Sequence, residues 1–191
     1  MTEPRLPAAR RLIEGIRDIY ARHADETARW RAIEEAMKPF LTDPGLIARA
    51  KTWPQTVESA PRVGNLLFYE DPDLGFVFNA TVRKPNLVTN IHDHGRVWTL
   101  YGLIEGHETL HHYTRAKDGG LRHLDKTPLG PGEIDAVPPG HIHQEHAGPA
   151  QSVAFIIRAQ RPGTFDQHQY DPQTGAATVT RGPVQIPHAL D

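Results

Sequence analysis

Cysteine is absent from all 191 residues of this chain. That excludes disulfides, thiolate metal ligation, iron–sulfur clusters and a cysteine nucleophile together. Any metal must therefore be held by nitrogen and oxygen. An excess of one charge is also missing: 21 Lys and Arg stand against 23 Asp and Glu, a formal net charge of −2. The two signs are interspersed, which leaves no electrostatic footprint for nucleic acid or an anionic membrane. No apolar run approaches a membrane span, and the opening Met1-Thr2-Glu3-Pro4-Arg5 lacks a secretory pattern. The expectation is a soluble cytoplasmic protein, monomer or homodimer. Its length suits one domain with a sizeable core.

Histidine, by contrast, is abundant, with twelve in the chain. His92 and His94 lie in Asn90-Ile91-His92-Asp93-His94-Gly95, and His143 closes Pro138-Pro139-Gly140-His141-Ile142-His143. Alternate residues on a strand point to one face, so His92 and His94 can aim at one point. A third imidazole from a neighbouring strand would complete a facial set of three nitrogens and leave other positions on a metal open. With so many histidines the pair alone is weak; the Gly/Pro-rich approach to the third gives it specificity.

The first fifty residues read as helices. Leu12, Ile13, Ile16, Ile19 and Tyr20 recur at helical spacing within Ala8–His23. Asp25 can cap a second helix with Trp30, Ile33, Met37 and Phe40 along one stripe, Pro39 lying near its end. Thr42 or Asp43, before Pro44, starts a short third helix. From about Asn65 the pattern changes to short strands rich in Val, Ile, Phe, Tyr and Thr. These are Leu66–Tyr69, Gly75–Val82, Leu87–His92, Trp98–Ile104, Glu108–Thr114, Leu121–Leu124, Ile134–Val137 and Ser152–Ala159. Turns such as Asp118-Gly119-Gly120 and Gly130-Pro131-Gly132 separate them. This spacing argues for a sandwich or barrel. The expected layout is a helical segment over 1–55, a β-barrel over 60–161 and a wrapping tail over 162–191, with Thr178–Thr180 a possible edge strand.

These residues resemble the cupin superfamily, whose fold is a double-stranded β-helix, or jelly-roll barrel; here the N-terminal helices would pack against it. The superfamily's second motif is Gly, five residues, Pro, one residue, Gly, two residues, His. It is met by Gly132, Pro138, Gly140 and His143. In the first motif His92, His94 and Gly106 match, while Thr99 stands where a Glu would be. The three-His variant resembles the thiol dioxygenases, the cysteine and 3-mercaptopropionate dioxygenase group, with Trp98 similar to the latter branch. The resemblance implies Fe(II), with Zn or Ni possible on purification, held by His92, His94 and His143. It also implies O2 and a small anionic, thiol-type substrate. Three neutral imidazoles leave the metal's charge uncompensated and favour an anion in the open positions.

Several positions depart from that group. Without cysteine, its Cys–Tyr cross-link cannot form at Thr99. Ala154, Ile156 and Arg158 stand where its Ser-His-Tyr relay is aligned. Arg158 either projects into the pocket and orients a substrate's acidic end, or lies at the barrel mouth and pairs with a surface acid. Tyr101 and Trp98 are candidates to line the pocket, with core packing expected for at least one. Arg83 and Arg96 are candidate anion binders with loop or surface placement the commoner outcome. His141 and His146 flank the ligand, and either His111 or His112, with Tyr113, faces inward on the next strand. His107, His123, His168 and His188 are expected at the surface. Other readings are a three-His dioxygenase acting on a carbon acid, a non-catalytic small-molecule-binding cupin, and a zinc-dependent hydrolase or isomerase.

Overall fold

The computed structural model describes residues 3–59 and 62–191. The expected barrel boundary at residue 60 and the first two residues of the chain lie outside them. Three helices come first: α1 (Pro7–Arg22), α2 (Glu26–Leu41) and α3 (Pro44–Ala50). Asp25 caps α2 by accepting from the Ala28 amide at 2.8 Å, and Asp43 caps α3 by accepting from Gly45 and Leu46 at 2.9 and 3.1 Å. Each satisfies amides that a helix start leaves unpaired.

The strands then follow as β1 (Val57–Ser59), β2 (Arg62–Glu70), β3 (Val77–Arg83), β4 (Ile91–His92), β5 (Thr99–Glu105), β6 (Glu108–Arg115), β7 (Leu121–Leu129), β8 (Ile134–Val137), β9 (Ile142–Ala147), β10 (Ser152–Arg158), β11 (Gln167–Tyr170), β12 (Ala177–Thr180) and β13 (Val184–Pro187). One sheet runs β1-β2-β3-β10-β5-β8, with β13 added parallel to β2; the other runs β12-β11-β4-β9-β6-β7. The remaining pairings are antiparallel. From β3 to β10 the chain passes between the sheets at nearly every connection. That is the double-stranded β-helix of the cupin fold, with α-helices packed against it.

Strand alternation decides what faces the barrel. On β10, Val153, Phe155 and Ile157 join the helices' core, while Ala154 and Ile156 belong to the cluster between the sheets. On β5, Leu100 and Ile104 turn outward, Tyr101 and Leu103 inward. Phe155 meets Phe40 of α2 edge-on at 4.8 Å, and Trp98 stacks on Trp30 at 6.1 Å. The helices thus cover the larger sheet's outer face and leave the interior free for a site.

Several strand expectations change. Leu87–His92 is a strand only over Ile91–His92. Leu87 and Thr89 still bond to β9, through Ala147 N–H to Leu87 O at 2.8 Å and Thr89 N–H to Glu145 O at 3.0 Å. The ladder breaks at Asn90, whose carbonyl faces the His92 ring. Leu121–Leu124 extends to Leu129 because β7 pairs with β6 along nearly its whole length. β9 had no counterpart among the expected strands. After Arg161 the chain adds β11 to β4 and β13 to β2, so it extends both sheets.

Candidate metal centre

His92 ends β4 and His143 lies on β9, and the two are direct cross-strand partners. His94 follows two residues later, carried into the same space by the turn at Gly95. Gly95 has φ +57°, and a Cβ there would collide with the Asp166 carbonyl, so this turn requires glycine. One ring nitrogen from each of His92, His94 and His143 lies within 4.8 Å of the others, and His94 Nε2 is 3.2 Å from His143 Nε2. Two imidazoles each about 2.1 Å from one ion at near-right angles would be about 3 Å apart. The spacing fits a shared ion.

The donor chemistry fits as well. His92 Nδ1–H donates to the Asn90 carbonyl at 2.9 Å, which leaves its Nε2 lone pair for a metal. Burial, and the charge of neighbouring imidazoles, push His92 down to about 4 and His94 well below its ordinary range. Both are therefore neutral at pH 7, the form that ligates. The His94 and His143 Nδ1 atoms are buried without partners.

A layer of charge surrounds the triad. Arg83 donates from one guanidinium nitrogen to Glu108 Oε2 at 2.8 Å and from the other to Glu145 Oε1 at 3.1 Å. Tyr101 donates to both Glu108 oxygens at 3.0 Å, and Ser152 donates to the same carboxylate. Thr89 donates to Glu145 Oε2 at 2.6 Å, and that oxygen lies 3.8 Å from His92 Nδ1. Burial alone would raise Glu145, but Arg83 and the nearby imidazoles hold it well below the usual carboxylate range. Arg83 is therefore buried and already paired, contrary to its expected loop or surface place.

Arg158 also lies inside the barrel, 5% exposed. Its NH1 donates to Asn79 Oδ1 at 3.3 Å, and the Asn65 amide, with its oxygen turned inward, accepts at 3.0 Å. Its Nε has no partner, and no carboxylate among the described residues pairs with it. Burial, then repulsion from Arg83, push it down to about 10, against the pull of Glu145 and Tyr101. Two guanidiniums, Arg83 and Arg158, stand here with the carboxylates of Glu108, Glu145 and Asp135, the last with its Oδ2 3.9 Å from His143 Nδ1; a divalent ion would turn this balance positive.

Asp93, between the paired histidines, points the other way. It accepts from Tyr170 at 2.6 Å, from His168 Nδ1 at 3.0 Å and from the Gly95 amide at 2.8 Å. These bonds pin the ligand loop to β11. Strand alternation could have flagged Asp93 as outward-facing, but nothing local named its partners.

Tyr101 lines the cavity, whereas Trp98 packs against the helices. His112 is the inward histidine of β6, and its Nδ1 meets His141 Nε2 at 2.8 Å. His111 stacks on His146 with centroids 4.1 Å apart, on the strands' other side. Arg96, His107 and His123 are exposed, while His168 and His188 are partly covered.

No family model and no curated protein matches this chain. Solved structures similar to it include oxalate oxidase in complex with the substrate analogue glycolate, at 16% identity over 62% of this chain and 61% of that one, TM-score 0.46. A protein with a double-stranded β-helix domain from Klebsiella pneumoniae is similar at 16% identity over 70% and 86%, TM-score 0.45. The Cnp3 cupin domain of Schizosaccharomyces pombe is similar at 7% identity over 51% and 60%, TM-score 0.42. For the first matches the chain spans roughly half of the other protein, 43% to 60%. Likenesses this distant say nothing about chemistry. Among the described residues, no helix is long and apolar enough to cross a membrane.

Proposed function

We propose that this chain is a non-haem iron dioxygenase of the thiol dioxygenase-like kind, adding O2 to a small anionic substrate. The observation that carries the reading is one cavity with three convergent imidazoles and a buried guanidinium that lacks a carboxylate. Fe(II) held by His92, His94 and His143 would supply a redox centre with open positions for substrate and oxygen. Arg158 orients the substrate's acidic end by charge-assisted hydrogen bonds. Tyr101, tied to Glu108, forms the polar floor. Asp93 holds the His92–His94 loop in place through Tyr170 and the Gly95 amide.

A second reading, a metal-binding cupin that holds a small molecule without turning it over, is favoured by Ile156 in the cavity wall, at a position aligned with the relay of the thiol dioxygenases that the sequence resembles. Anaerobic loading with Fe(II), followed by oxygen uptake with cysteine, 3-mercaptopropionate, cysteamine and a β-diketone, separates the readings. Substrate-dependent uptake with an oxygenated product supports the dioxygenase. Tight anion binding without uptake supports the second reading. Uptake with the diketone alone moves the substrate to a carbon acid.

A further inference from the structure

The cavity is larger and more two-faced than a three-carbon thiol acid requires. Its volume is about 280 Å³, room for about nine water-sized groups. Its inner part carries polar atoms with no partner: Arg158 Nε, Thr99 Oγ1 and Gln167 Nε2, all buried. Arg158 and Thr99 are cross-strand partners on β10 and β5, so both project from the same face. Gln167 comes from β11 in the opposite sheet, and Gly182 leaves the space its amide occupies, since a Cβ there would strike that group. Donors left unpaired in a buried site are costly unless a ligand oxygen meets them.

The outer part differs. Leu87, Val88, Pro183 and Val184 line one arc of the mouth, with Val88 and Val184 53% and 54% exposed. Asn90 and Gln169 form the polar remainder of the rim. Half-exposed valines beside a cavity gain by being covered by apolar ligand surface.

We propose that the cavity takes an amphipathic monoanion, its carboxylate met by Arg158, Thr99 and Gln167 and its aliphatic body lying along Leu87, Val88, Pro183 and Val184. This rests on the reading above that the cavity binds an anion, and it adds the substrate's length and polarity. The length is about eight heavy atoms, given the volume and the space a metal takes. Val88 and Val184 are then specificity-determining positions, and Gln167 a binding residue contributed by the segment after the barrel.

The test is a series of straight-chain carboxylates from acetate to decanoate, titrated calorimetrically into Zn(II)-loaded and metal-free protein. Affinity is expected to rise about two- to fourfold per methylene until the cavity fills, since each buried CH₂ contributes a roughly constant increment. The double variant Val88→Ser/Val184→Ser is expected to cut the ratio of hexanoate to acetate affinity at least about fivefold. Arg158→Leu is expected to lower the whole series by about ten- to a hundredfold with the same slope. Circular dichroism and melting temperature check the fold of each variant. A flat series in both protein states, or a slope untouched by the rim variants, overturns the proposal. So does an Arg158→Leu series that keeps its affinity, or the binding of no acid by either state. A rising series seen only with metal supports it, as does one seen with or without metal. Metal stoichiometry, measured on the same samples, tests the metal reading separately.

Discussion

Arg83→Met isolates the electrostatics of the barrel interior. Arg83 is 6% exposed in its side chain and bridges Glu108 and Glu145, whose side chains are 0% and 5% exposed. Removing it leaves two buried carboxylates in each other's field with no paired cation, Arg158 being the nearest charge and forming an ion pair with neither. Breaking a buried pair from one side costs about 3–5 kcal/mol. Attraction from Arg83 is what chiefly holds Glu145 below its ordinary range against burial, so at neutral pH the variant must protonate a carboxyl or admit water. For a domain of this size each kcal/mol shifts the midpoint by about 2–4 °C, giving a drop of about 6–20 °C. The assay is thermal and urea unfolding of wild type, Arg83→Met, and the triple variant Arg83→Met/Glu108→Gln/Glu145→Gln. The triple variant carries no buried charge at these positions and is expected to recover at least half of the lost stability. A single variant within 1 °C of wild type, or a triple variant less stable than the single one, refutes the account of Arg83 as the counter-ion of two buried acids.

Asp71 accepts from Arg17 at 2.9 Å, Tyr69 at 3.0 Å and the Leu74 amide at 2.8 Å. Burial alone would raise this carboxyl; those bonds bring it below its ordinary value. Its stabilisation is therefore present above the unfolded pKa and lost as pH falls through the lower folded value. Asp71→Asn is expected to cost about 1–2 kcal/mol at pH 7, discounted because Arg17 is 39% exposed. The gap from wild type should narrow below about pH 4 in unfolding curves taken across pH. Asp93→Ala frees the ligand loop from Tyr170 and His168 and is expected to weaken metal affinity by about ten- to a hundredfold. Competition with a chromogenic chelator measures this, and Tyr170→Phe should fall between the two proteins.

The parts legible in the sequence were those with local signals. Helical stripes and the caps at Asp25 and Asp43 are written within a few residues of each other, and the Gly/Pro-rich approach to His143 marks a turn entering a strand. β8 was found at its observed ends, because Ile134, Ala136 and Val137, interrupted only by Asp135, are bounded by Gly130-Pro131-Gly132 before and Pro138-Pro139 after. β9 escaped because its inward positions are His143 and Glu145, not apolar residues, so a strand that builds the site looks polar on both faces. The charge layer escaped for a related reason. Arg83 meets Glu108 and Glu145 across 25 and 62 residues, and no periodicity links an arginine at the end of one strand to carboxylates on two others. The turn at Asn90 likewise spends a carbonyl on the His92 ring that a strand would have spent on the ladder.

The central claim is that His92, His94 and His143 hold one metal ion. Its most direct test is metal stoichiometry by mass spectrometry on anaerobically purified protein supplied with Fe(II). Wild type is compared with the triple variant His92→Ala/His94→Ala/His143→Ala. The account expects one divalent ion per chain in the wild type and less than about a tenth of that in the variant, with the β-sheet circular dichroism retained. A folded variant that keeps its metal, or a wild type that binds none, would contradict it.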